Sequence, residues 1–99
     1  RVGMPAIAKK GRALTKFGID VIDHFGLTTS TPRDATKRGC HLAVHHPNAP
    51  QLVKDLAAQF KVIADVRPPD IVRLGLSPLT TRFTDIWDGL EKLNRLINQ

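Results

Sequence analysis

Residues 65–93, DVRPPDIVRLGLSPLTTRFTDIWDGLEKL, switch from two-residue alternation to an apolar stripe of helical spacing, and this switch constrains the fold more than any other feature. Val72, Leu74 and Leu76 fall on one side of a strand running from Ile71 to Leu76, which leaves Ile71, Arg73 and Gly75 on the other. Phe83, Ile86, Trp87, Leu90, Leu93 and Ile97 then share one face of a helix from about Thr81 to Ile97. Thr80 or Thr81 is the expected N-cap, and Asp85 and Asp88 lie near the positive end of the helix dipole. Each element has one apolar face to bury, so a layer of sheet against a layer of helix is the natural solution.

The remaining elements fit the same plan. Met4, Ile7, Gly11, Leu14, Gly18, Val21 and Phe25 follow a 3,4 spacing, so a helix is expected from about Pro5 to Phe25, closed by Gly26. The two glycines in its stripe point to close packing against another element. A short strand over Leu27–Ser30 precedes the turn-rich Thr31-Pro32-Arg33-Asp34, and a second strand is expected over Cys40–His45. Asn48 is placed to cap a helix over Ala49–Phe60, with Leu52, Val53, Leu56 and Phe60 on its buried side. Lys61–Arg67 alternates as a third strand that ends at Pro68-Pro69. The expected fold is a single α+β domain over residues 1–99, a two-layer sandwich with a small, mostly antiparallel sheet of three to four strands.

Composition supports one globular domain with a modest core: 99 residues, 41% hydrophobic and 24% charged. The net charge of +6 raises nucleic acid as a partner, but its distribution argues against that class. Eight Lys/Arg face three Asp in the first 38 residues, whereas seven face six acidic residues thereafter. Lys9, Arg12 and Lys16 recur opposite the apolar stripe, as on any solvated helix face, and no aromatics interleave with them to stack bases. No nucleic-acid partner is therefore expected. No apolar run approaches the roughly 20 residues of a membrane span, so no membrane partner is expected either. The lone Cys40 has no partner for an internal disulfide and suits a reducing cytoplasm. The absence of an initiator methionine at Arg1 suggests a segment of something longer.

Arg73 is the candidate binding residue. A guanidinium on a rigid strand, with Gly75 leaving room beside it, suits bidentate capture of a carboxylate. Spacing alone favours the plainer reading, an internal ion pair with Asp65 or Asp70 or an arginine simply lying on an exposed sheet face. Asp65 and Arg67 share one face of the preceding strand, as a structural pair or as a support for Arg73. His41 and His45 share a strand face near His46 and Cys40, but no second pair has zinc-ligand spacing, so no metal is expected. Cys40 reads as a small buried side chain, and Trp87 as core.

The segment D-V-R-P-P-D-I-V-R-L-G-L-S-P-L, followed by Asp85-Ile86-Trp87-Asp88, closely resembles the C-terminal end of kynureninases, enzymes of the pyridoxal-phosphate (PLP) aminotransferase class V-like group. IAKKGRALTKFGIDVID resembles the helix that opens their small domain, and STPRDATKRGCHLAVHHPN resembles their Arg-Gly to His-Pro segment. The resemblance covers nearly the whole chain. It implies the small domain of a fold type I PLP enzyme, cytoplasmic and homodimeric in its intact form. The implied reaction is cleavage of L-kynurenine or 3-hydroxykynurenine to anthranilate or 3-hydroxyanthranilate and L-alanine, a step of tryptophan catabolism. It also implies that Arg73 binds the α-carboxylate of that amino-acid substrate.

The family pattern is not matched everywhere: Thr80 stands at a tyrosine, Leu74 at the phenylalanine of Arg-Phe-Gly, and Phe60-Lys61 at an Arg-Gly. The small domain of another class V-like enzyme, such as a cysteine desulfurase relative, or a stand-alone binding domain descended from one, therefore stays open. PLP enzymes need a covalently bound lysine, an aspartate on the pyridine nitrogen and a phosphate cup, which the family carries in its large domain. None of the lysines here sits in such a motif. The resemblance thus implies no cofactor-binding residues and no activity in this chain alone.

Overall fold

A computed structural model describes residues 4–29, 41–77 and 79–99. The expected turn over Thr31–Asp34 and the expected burial of Cys40 lie outside the described residues. Three helices, α1 (Met4–His24), α2 (Ala49–Phe60) and α3 (Phe83–Ile97), accompany four strands, β1 (Thr28–Thr29), β2 (His41–His45), β3 (Asp65–Arg67) and β4 (Ile71–Gly75). The sheet has the order β1-β2-β4-β3, and every neighbouring pair is antiparallel. This is the two-layer α+β sandwich expected from the sequence.

Strand alternation decides which side chains join the core. Leu42 and Val44 of β2 pair with Leu74 and Val72 of β4, and all four are buried with α1 and α2 residues. Helix α1 contributes Leu14, Ile19, Val21 and Ile22, α2 contributes Leu52 and Leu56, and α3 contributes Ile86, Leu90, Leu93 and Leu96. Helices α1 and α2 lie on the sheet, and α3 rests on both of them. The glycine stripe of α1 has a physical cause at Gly18. A Cβ there would collide with Leu42 Cδ1 and lie 2.8 Å from its Cδ2, so the helix approaches the sheet as closely as backbone allows. Thr15 is the one buried polar side chain of the described core, and its hydroxyl donates to the Gly11 carbonyl at 2.8 Å.

Several local expectations are corrected. Asn48 precedes α2 at φ −97°, ψ 25°, outside the extended conformation of a side-chain cap, and its own N–H donates to His46 Nδ1 at 3.1 Å. The third strand spans only Asp65–Arg67 rather than Lys61–Arg67. Lys61 is left-handed, at φ 57°, ψ 30°, and the Val62 N–H donates to the Leu56 carbonyl at 3.0 Å, so residues 62–64 are spent leaving the helix. Neither threonine caps α3. Thr81 Oγ1 accepts from the Ser77 N–H at 2.8 Å, and Arg82 takes the N-cap position. Asp85 Oδ2 reaches back to the Arg82 N–H at 2.8 Å while its carboxylate also binds the Arg82 guanidinium, and that hydrogen-bonded cation holds the carboxyl below its ordinary range. Trp87 is 39% exposed rather than core, because its ring leans on Phe25 at 5.0 Å and His24 at 5.6 Å along the flank of α1.

The left-handed Lys61 stands at a site suited to glycine, which has no Cβ to strain there. Lys61→Gly is expected to stabilise the chain by about 1 kcal/mol, read as a rise in Tm of roughly 4–8 °C. A Tm that stays level or falls would show that the lysine stem compensates for the strain.

Candidate functional site

Strand β4 holds the sheet's interior place between β2 and β3, so Arg73 has a neighbour on each side. Ala43 pairs with it on β2 and Asp65 on β3. Ile71, Arg73 and Gly75 alternate with the buried Val72 and Leu74, and therefore face away from the helices. Their register partners, His45, Ala43 and His41 on β2 and Arg67 and Asp65 on β3, share this second face. None of the described helices covers it.

The guanidinium is placed but not saturated. Arg73 Nη2 lies 3.6 Å from Asp65 Oδ2, an ion pair beyond hydrogen-bonding distance, with side-chain exposures of 32% and 74%. At Gly75, the next position on the same face, a Cβ would meet nothing within 4 Å. A small residue on one flank, a loosely held carboxylate on the other and open space ahead leave the planar fork able to accept an anion.

The other candidates are spread across the face. Arg67 is exposed opposite Ile71, two register pairs along the sheet from Arg73. His45 Nδ1 is 3.8 Å from Asp70 Oδ2, and His41 is exposed opposite Gly75. Among the described residues no group of three His, Cys, Asp or Glu side chains converges as a metal site. Ala43 escaped the sequence reading as a site residue. Its signal was present, a small side chain between two histidines on one strand face, but its relation to Arg73 depends on strand order.

A separate cleft of about 140 Å³ opens between the sheet and the start of α3, lined mainly by Leu42, Val62, Leu74, Leu76 and Ile86, with Gly75 at its rim. Its one ionisable lining group is Asp85. A phosphorylated pyridine would need cations or clustered N–H donors at its phosphate, so these residues do not fit PLP.

Fold and site together define a class: a small α+β sandwich that presents Arg73, from an interior strand of an antiparallel sheet, on the face the described helices leave uncovered. A similar fold occurs in 8-amino-7-oxononanoate synthase from Francisella tularensis, with a TM-score of 0.72 over 91% of this chain and 27% of that one, at 19% identity. That likeness concerns fold alone. The chain belongs to the kynureninase C-terminal domain family, whose profile matches residues 7–93. It is 34% identical over 100 residues to a kynureninase of Pseudomonas fluorescens, covering 97% of this chain and 24% of that protein. It is 35% identical over 99 residues to a kynureninase of Burkholderia mallei, covering 96% and 24% respectively. The chain thus spans about a quarter of the length of these relatives. No helix of the described residues is long and apolar enough to cross a membrane.

Proposed function

We propose that this chain is the C-terminal small domain of a PLP-dependent kynureninase and that Arg73 holds the α-carboxylate of its amino-acid substrate. The observation that carries this reading is the position of Arg73: on an interior strand, on the face away from the helices, beside open space at Gly75. The substrate class proposed on the strength of family membership is L-kynurenine or its 3-hydroxy form. Hydrolysis of the Cβ–Cγ bond then yields anthranilate, or its hydroxy form, and L-alanine.

The contribution of this chain is positional. Two parallel N–H···O bonds from the guanidinium fix both the location and the tilt of a carboxylate, and with it the Cα and Cβ of the bound amino acid. PLP, which supplies an electron sink to such reactions, belongs to the remainder of the parent protein, as do the groups that move protons at the scissile bond. The parent is proposed to be a cytoplasmic homodimer, and the isolated chain to be inactive.

The full reading frame around this segment, expressed and loaded with PLP, is expected to release anthranilate from L-kynurenine. A PLP-bound protein that binds the substrate class but releases no anthranilate would redirect the assignment to another PLP chemistry.

A further inference from the structure

The Arg73–Asp65 pair is unusual for a structural ion pair in the asymmetry of its two ends. Arg73 is anchored at an interior register position and is 32% exposed, while Asp65 sits on the edge strand β3 and is 74% exposed. At 3.6 Å the two attract without a hydrogen bond. No other side chain among the described residues ties Asp65 down. Its carboxylate therefore regains water at little cost when it leaves, whereas the backbone of Arg73 is held by strand pairing on both sides.

We infer that Asp65 is a displaceable internal anion: it occupies the guanidinium of Arg73 until an incoming ligand carboxylate takes its place. This deepens, and rests on, the reading of Arg73 as the substrate-carboxylate residue. An exposed pair of this kind is weak, whereas a bidentate ligand carboxylate makes two short charge-assisted bonds. The exchange thus favours ligands that present a carboxylate in the plane of the fork and discriminates against anions that cannot outcompete Asp65. Asp65 is in this sense a positioning and selectivity residue, holding the fork aimed along the sheet while the site is empty.

The test is calorimetric titration of the full-length protein with L-alanine, and with L-alaninamide as the analogue lacking the carboxylate. Asp65→Asn is expected to tighten L-alanine binding roughly two- to fivefold, the strength of an exposed pair, and to leave alaninamide unchanged. Asp70→Asn removes an equal charge nearby, where it faces His45 rather than Arg73, and is expected to tighten L-alanine less. Equal tightening by both variants, tightening toward alaninamide, or weaker alanine binding in Asp65→Asn would each overturn the displacement. Arg73→Ala separates the two levels. If it abolishes alanine binding while Asp65→Asn fails, the carboxylate reading stands and the displacement falls; if it leaves alanine binding intact, both fall.

Discussion

Arg73→Ala in the full-length protein is expected to reduce affinity for kynurenine by about 2–5 kcal/mol, roughly a 30- to 5,000-fold loss. The interaction proposed to be lost is a pair of charge-assisted hydrogen bonds to the ligand carboxylate, and no second cation on this face lies at the same register position. Arg73→Lys keeps the charge without the fork and should recover only part of the loss. Because the Arg73 side chain points away from the core and its ion pair with Asp65 is exposed, neither variant should melt the domain. Steady-state KM, accompanied by circular dichroism and retention of PLP absorbance, checks the result. An unchanged KM with an intact fold removes Arg73 from the site.

Leu90→Ala is expected to have the largest effect on stability, about 2.7–5 kcal/mol. Leu90 is fully buried, and α3 reaches the rest of the molecule through its seams with α1 and α2. Truncation there leaves a void among side chains from separate elements, which cannot all move inward together. A domain of this size has only about 5–15 kcal/mol in total, so the variant would retain little margin. Urea denaturation of the wild-type and variant chains measures the difference. A loss below about 1 kcal/mol would mean that α3 is not docked by the seam described.

The periodic parts of this fold are legible in its sequence because one physical demand, burial, acts on every residue of the pattern. The stripe of α3 and the alternation of β4 predict Ile86, Leu90, Leu93, Val72 and Leu74 as core, and all are buried. Element ends are less legible, because they depend on single hydrogen bonds. Thr80, Thr81 and Asn48 all have the chemistry of N-caps, yet Ser77 recruits Thr81 and α3 is closed by the carboxylate of Asp85 instead. Trp87 satisfies the stripe and still stands half in solvent, since periodicity gives a direction on a helix but not how far the neighbouring helix extends. At the candidate site, alternation puts Arg73, Gly75, His41 and His45 on outward positions. What alternation cannot supply is strand order, and only that order sets Asp65 and Ala43 on either side of the guanidinium.

The strict alternation of β4 has a consequence for how such a site tolerates insertion and deletion. A slip of one residue between β4 and its neighbours would turn the guanidinium of Arg73 into the apolar layer and expel Val72 and Leu74 into water. The frame that keeps the leucines dry is therefore the same frame that aims the arginine. Length changes in the Pro68–Asp70 connection are filtered by folding itself before any selection on ligand binding, so chains that lose the aim of Arg73 by frameshift of the strand also lose the fold.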